Sequence, residues 1–301
     1  MFERTDLKQV LGSEIELTAQ MIDAIDLWQN MLTGSAPWTD KMPSMGLESG
    51  ICREFADVAI NEMQAKVEDN ESLDQIFQTA IRELNENLQD GLALGSLIIK
   101  PLLGGRVEYV TADNFIPIRF DSGRPVDCVF IERKQINENK FYHRLERHTL
   151  TPAGLTITNK AYQSTSSAGI GTQVSLDAVE VWAGLPDEIS YPGMNRIDFG
   201  YYRNPLKNRI DGSQCGVSVY SGTAVDRIKD ADVQAARLDW EYESGERAIH
   251  VDERALKTGV NGQKSVAKTH KRLYRGLNID QKNDDLFKEY SPQMRDDSYR
   301  Q

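Results

Sequence analysis

The chain has no run of 18 apolar residues, so no segment carries the length and hydropathy of a membrane-spanning helix. It has only three cysteines, Cys52, Cys128 and Cys215, widely spaced and without a CxxC pair. That usage reads as buried, reduced thiols of a cytosolic protein, not as a disulfide framework. No Cys, Asp or Glu stands at zinc-ligand spacing around the histidines His143, His148, His250 and His270. There is no G-x-S-x-G nucleophile turn and no Walker loop, and Gly169-Ile-Gly171 lacks the rest of any phosphate-cradling pattern. No metal and no cofactor is expected. The opening residues, MFERTDLKQV, are polar and carry acids, unlike a secretory signal.

What is present is an ordinary globular balance, 40% apolar and 27% charged, in 301 residues, which fits one large or two modest domains. The net charge of −11 is unevenly placed. Residues 1–90 hold 18 acids and 6 bases, whereas the other 211 residues are balanced to within one charge. An acidic chain does not wrap nucleic acid over its whole surface, because phosphate binding needs clustered cations. One stretch does cluster them. Arg254–Arg275 carries seven bases (Arg254, Lys257, Lys264, Lys268, Lys271, Arg272, Arg275) and no acid, broken by a turn at Gly259-Val-Asn-Gly262. Tyr274 is its single aromatic, too few for a single-strand stacking platform.

Three helices are predicted in the first third. Met21, Ile25, Trp28 and Leu32 share one face of a helix over 13–32. A second, over 47–68, carries the stripe Leu47, Ile51, Phe55, Val58, Met63 and Val67. A third follows Ser72, whose spacing to Gln75 fits a capping box, and stops before Gly91. The three are expected to bury one shared apolar seam. From Gly91 the pattern becomes short β-rich runs: 96–101, 106–110, 114–120, 126–134, 140–149, 155–163 and 174–182, separated by turn residues, an antiparallel region. Within 140–149, Tyr142, Arg144, Glu146 and His148 alternate with His143, Leu145 and Arg147, so a solvated face is expected and the two histidines point to opposite sides. Residues 189–214 read as a connector. A long helix follows over 221–246, roughly 39 Å at ~1.5 Å per residue. Its seam of Ala224, Ile228, Ala231, Ala235, Leu238 and Tyr242 has heptad-type spacing, and its alanines allow close helix approach. The β-prone Ala248-Ile-His-Val251 ends it.

One catalytic pattern is present. Asp121, Glu132 and Lys134 form D…E-x-K across two predicted strands, the arrangement in which metal-dependent nucleases hold a divalent ion and position the attacking water. Strand surfaces are rich in these residue types, and a solvated sheet face is the simpler reading.

The order of segments resembles the portal proteins of tailed bacteriophages, of the kind found in long-tailed phages and in prophages of Gram-positive bacteria. The matching residues run along nearly the whole chain: Ile25-Asp-Leu-Trp-Gln-Asn-Met-Leu-Thr-Gly34 with Pro37-Trp38, then Gly46-Leu-Glu-Ser-Gly-Ile-Cys-Arg-Glu-Phe-Ala56, and Gly91-Leu-Ala-Leu-Gly95 before a Leu-Ile-Ile-Lys strand. Most telling are Tyr202-Arg-Asn-Pro205 and Gly216-Val-Ser-Val-Tyr220 running into Asp226-Arg-Ile-Lys-Asp-Ala-Asp232.

The resemblance implies an α+β fold: an N-terminal helical bundle (1–90) and an antiparallel β-rich region (91–188) forming the wing, a connector (189–220), a long stem helix (221–248) and a small α/β clip (249–301). It implies a non-enzymatic subunit of a ring, typically of twelve copies, at one capsid vertex. Double-stranded DNA passes through such a ring during packaging and ejection, and terminase, a head-tail connector or adaptor, and capsid or scaffolding protein meet it. The virion, with host cytoplasm during assembly, would be its location, and no membrane is involved. On this view the heptad seam is a subunit contact that closes by rotation, net acidity suits a conduit that repels phosphate, and Lys264, Lys268, Lys271, Arg272 and Arg275 meet a partner or DNA backbone. Family members continue beyond Tyr299-Arg-Gln301 with a second stem helix, a tunnel loop and a crown, so the chain is expected to be C-terminally truncated. The other readings of the residues are a metal-dependent nuclease using Asp121, Glu132 and Lys134, and a DNA-binding adaptor using the basic stretch.

Overall fold

A computed structural model describes residues 2–244, except 3 and 103, together with the strand segments 248–252, 257–258, 264–265, 274–277 and 287–290. The chain divides into two compact units, Met1–Lys229 and Asp230–Gln301. Among the described residues it is a mixed α/β protein with five α-helices and mostly antiparallel sheets.

The first unit opens with four helices: α1 (Arg4–Leu11), α2 (Ala19–Leu32), α3 (Leu47–Asn61) and α4 (Glu71–Leu94). Helix α2 starts where the Thr18 hydroxyl accepts the Met21 N–H, satisfying one of the donors a helix start leaves unpaired. Its stripe buries Met21, Ile25 and Trp28 as the spacing predicts. Helix α4 is capped two residues earlier than the Ser72 box predicts. Asn70 accepts the Leu73 N–H, and the helix then runs through Gly91 to end at Gly95, whose φ of +93° is the left-handed conformation that glycine adopts without penalty. Helix α3 departs furthest from expectation. It buries Glu48, Cys52 and Ala56, while Phe55 and Val58 of the predicted stripe remain 57% and 56% exposed. A periodic pattern shows which face is apolar, and here α4 and the core cover the neighbouring face instead.

The β region forms two sheets. A small one has the order β2 (Arg106–Thr111), β1 (Ser96–Leu102), β9 (Gly200–Arg203). A larger one runs β3 (Phe115–Asp121), β4 (Arg124–Asn137), β5 (Lys140–Thr151), β6 (Gly154–Ser164) and β7 (Thr172–Val174), with β8 (Glu188–Pro192) also paired to β6. All pairings in both are antiparallel. The predicted strand over 174–182 is present only as its first residue. Beyond it the Ser175 hydroxyl accepts the Asp177 N–H, and two 3₁₀ turns, Leu176–Ala178 and Glu180–Trp182, fold Trp182 into a small cluster with Tyr142 and Ala161. The predicted connector contains β8 and β9, which are too short to show a period.

A close approach of two backbones joins the end of α4 to the segment that leads into α5. A Cβ on Gly95 would stand 2.6 Å from the Gly216 backbone, and one on Gly216 would stand 2.1 Å from the Gly95 carbonyl oxygen. Fully buried Asn204 fills the joint. Its side-chain amide donates to the Leu92 and Val217 carbonyls at 2.9 Å each, its Oδ1 accepts the Tyr202 hydroxyl, and its N–H donates to the Gly95 carbonyl. Nearby Asn208 braces the turn at 210–215, and Asp211 in that turn accepts the Thr18 hydroxyl at 2.6 Å.

Helix α5 (Thr223–Ser244) follows, and the division between units falls inside it. The second unit contains a sheet in which β10 (Ala248–Asp252) pairs in parallel with β13 (Tyr274–Leu277) and antiparallel with β14 (Phe287–Tyr290). It also contains the hairpin of β11 (Lys257–Thr258) and β12 (Lys264–Ser265), on either side of the predicted Gly259–Gly262 turn.

Asn204→Ala leaves buried carbonyls without their amide donor and is expected to cost about 2–3 kcal/mol in urea unfolding. Gly95→Ala should cost at least as much, while Gly12→Ala, with φ +61° and no atom within 4 Å of its Cβ, should cost only ~1–2 kcal/mol. Equal effects at the two glycines would remove the close approach as the cause.

Candidate functional site

Strand β5 sets Arg144, Glu146 and His148 on one face, by the two-residue period of a strand. The alternation predicts a solvated face without choosing between the two, and this one is largely covered: the Glu146 and His148 side chains are only 14% and 3% exposed. Charges from other elements cover it. On β1, Lys100 stands directly opposite Glu108 of β2, and on β4 Glu132 stands directly opposite Arg144. The segment before β9 adds Asp198, and β6 adds Asn159.

The contacts form one connected layer. Glu146 Oε1 accepts from Lys100 Nζ at 3.1 Å and from His148 Nε2 at 2.7 Å, and its Oε2 accepts from Arg144 Nη1 at 2.6 Å. Arg144 also donates through Nε and Nη2 to Glu132 Oε2 at 3.0 and 2.9 Å, and to Asn159. Lys100 reaches Glu108 at 2.9 Å and lies 4.8 Å over the Phe130 ring. His148 Nδ1 meets Asp198 Oδ1 at 2.7 Å. With a carboxylate at each ring nitrogen, His148 can donate to both only as an imidazolium, the form these contacts favour. Four cations (Lys100, Lys134, Arg144, His148) thus face four carboxylates (Glu108, Glu132, Glu146, Asp198).

Burial alone would raise the Glu146 pKa. The His148 hydrogen bond and the charges of Lys100 and Arg144 outweigh it and hold the carboxyl far below its ordinary 4.5. Burial likewise disfavours the His148 cation, yet the hydrogen bonds to Asp198 and Glu146 raise its pKa above the ordinary 6.5. The opposite face of β5 holds buried His143, whose ring meets Phe2 edge-on at 4.9 Å. The two histidines do point to opposite sides.

The layer is neutral in sum and offers no nucleophile. No group of three or more His, Cys, Asp or Glu among the described residues is arranged to hold a metal ion. The nuclease pattern does not assemble. Glu132 and Lys134 share a face and pair at 3.4 Å, but Glu132 is taken by Arg144. Asp121 sits across from Arg124 at the far end of the β3–β4 hairpin. That is eight residues along β4 from Glu132, roughly 26 Å at ~3.3 Å per residue, too far to share an ion.

The other predicted site residues fall apart in a different way. At the start of the helical seam, Ala224 and Ile228 pack into the core of the first unit. Ala231, Ala235 and Leu238 are half-buried and Tyr242 is exposed. Off the seam, Trp240 is 67% exposed. Lys264 lies in β12 and Arg275 in β13, and Lys268, Lys271 and Arg272 fall outside the described residues.

Two features escaped the sequence reading. One is the charged layer, whose signal was the alternating sign of Arg144, Glu146 and His148 on a single strand face. The other is an uncovered apolar surface on α3 and α4. Phe55, Val58 and Leu47 of α3 are exposed, as are Leu73 and Ile76 of α4, with Met45 and Met63 at the two ends of α3. Seven large apolar groups exposed on and beside two adjoining helices make these helices the candidate contact surface of the unit. No protein-family model matches the sequence, and no curated protein matches it.

Glu146→Gln leaves Lys100, Arg144 and His148 facing an uncharged group and is expected to cost about 3–5 kcal/mol near pH 6. In the wild type the Glu146 contribution is complete above the carboxylate range and is lost as pH falls, because its folded pKa is lowered. The His148 contribution is complete below pH 6.5 and is lost as pH rises through its raised folded value. Urea midpoints should therefore fall on both sides of a maximum near pH 6, with a weaker acid limb in Glu146→Gln. An unchanged acid limb would show that Glu146 is not its source.

Proposed function

We propose that the chain is a structural assembly protein, a portal subunit of a tailed bacteriophage or prophage that associates with copies of itself around a DNA conduit. The observation that carries this reading is the uncovered apolar surface of α3 and α4, together with a second exposed apolar group, Trp240, on α5. A closed ring is built from heterologous contacts, which need two different adhesive surfaces on each subunit. Phe55, Val58 and Leu73 are each about half exposed, so covering them at a subunit contact would contribute about half of the ~1.5–3 kcal/mol that full burial of such a side chain gives.

Three further features support it. The architecture is helices, then antiparallel sheets, then a long helix leading into a small separate unit, in the order the resemblance implies. The net charge of −11 suits a conduit along which DNA must slide without adhering. The charged layer is occupied by its own counter-charges, as expected of a rigid part.

In this reading Ala231, Ala235, Leu238 and Tyr242 belong to the subunit contact, while Ala224 and Ile228 serve the chain's own core. The bases at Lys264, Lys268, Lys271, Arg272 and Arg275 would meet terminase, a head-tail connector or the DNA backbone. Packaged double-stranded DNA, capsid or scaffolding protein, and the virion vertex complete the proposed setting.

Light scattering with negative-stain electron microscopy of the purified chain tests this reading. Rings with a central hole are expected, at roughly twelve times the 34.0 kDa subunit mass. Ala231→Glu, Ala235→Glu and Phe55→Asp should each reduce assembly at least tenfold while leaving the far-ultraviolet helix signal unchanged. A monomer at every concentration, unaffected by these changes, would overturn the proposal.

A further inference from the structure

We propose that His148 is a protonation-controlled latch that holds the 193–199 segment against the large sheet and so sets the shape of the groove that segment lines. The groove has a volume of about 820 Å³. One wall is Met194–Tyr201, and the other is Asp121–Val126 at the β3–β4 turn with Leu150 of β5. The segment has no strand or helix of its own between β8 and β9. It is held by Phe199, which is buried edge-on against Phe130 at 5.3 Å, by half-buried Ile197, and by the Asp198 carboxylate on His148 Nδ1. Asp198 is the polar tether, and it works only with a donor opposite it.

An imidazolium donates from both nitrogens and ties Asp198 to Glu146 through one rigid ring. A neutral imidazole has one N–H, so one of the two carboxylates must face a lone pair. Glu146 keeps its bonds to Lys100 and Arg144 in either case. Asp198, whose side chain is 23% exposed, has water as an alternative and is the one to leave. Loss of the proton therefore frees the segment and not the sheet.

The groups around His148 do not compete for this role near neutral pH. On its own strand Glu146 is held low by His148, Lys100 and Arg144 despite burial, and on β4, directly opposite, burial pushes the Cys128 thiol up. On β9 burial pushes the Tyr201 phenol up to about 12. The remaining charged neighbours are Lys100 on β1, Glu108 on β2, Glu132 on β4, and Asp198 with Arg196 in the segment. Strand β6 presents uncharged Ile157 opposite His148, with Asn159 beyond it.

Hydrogen–deuterium exchange of the full chain between pH 6 and pH 10, corrected for intrinsic rates, tests the latch. The His148 pKa is read in parallel from exchange of its ring C2 proton in a peptide that contains no other histidine. Protection of the Gly193 and Met194 amides, which donate to the Ala153 and Tyr191 carbonyls, should fall about tenfold or more, the worth of one charge-assisted hydrogen bond, with a midpoint at the His148 pKa. Amides of β4 and β5 should stay protected throughout. Asp198→Asn should be loose at both ends of the range. Protection that stays level through the His148 titration, or falls with a different midpoint, overturns the proposal from the wild type alone, whether or not the variant folds.

Discussion

The first unit depends on two backbones touching. Gly95 and Gly216 approach so closely that neither position has room for a methyl group, and Asn204 binds the carbonyls exposed on either side. Helix α4, strands β1 and β9 and the approach to α5 all begin or end there. Once the joint is made, the two sheets can be laid over one another, and Phe115, Phe120 and Tyr201 pack between them. Tyr202, Asn204, Gly216 and Tyr220 are also among the residues on which the proposed likeness to portal proteins rests. A likeness carried by such residues speaks first to architecture, because each has a stereochemical task there whatever the molecule does.

The polar and apolar placements of this protein are partly inverted. Charged side chains lie between the sheets, while phenylalanine, valine and leucine face outward on α3 and α4. The inward charges are stable because every member of the layer has counter-charges within hydrogen-bonding distance, which offsets the several kcal/mol per ion that burial costs. The outward apolar groups have no such compensation within the unit, which is why assembly is the reading that fits them.

Much of this was legible in the residues. The helices over 19–32 and 223–244 and the first six strands follow from their periods and turn residues, since long regular segments state their own geometry. What failed did so where the neighbours decide. The stripe of α3 was identified as apolar, but its burial depends on what α4 and the core cover. The capping residue of α4 was misplaced because Asn70 and Ser72 both have the chemistry and only the chain direction selects between them. Strands β8 and β9 are too short to show a period. The alternation along 142–148 predicts two faces but not what lies over either, so the charges that cover the Arg144–Glu146–His148 face were not legible in it. The D…E-x-K pattern failed on register, since a hairpin that places Asp121 beside Arg124 carries Glu132 to its other end.

The self-neutralised layer has a consequence for the conditions in which this chain can work. Exposed ion pairs weaken as ionic strength rises, because the Debye length shrinks from about 10 Å at 0.1 M to about 3 Å at 1 M. The Lys100, Glu146 and His148 side chains are only 8%, 14% and 3% exposed, so mobile ions reach their contacts less than they reach surface pairs. The body of the first unit is thereby insulated from the counter-ion concentration around it, and salt acts instead on its acidic exterior, where it relieves the mutual repulsion of carboxylates.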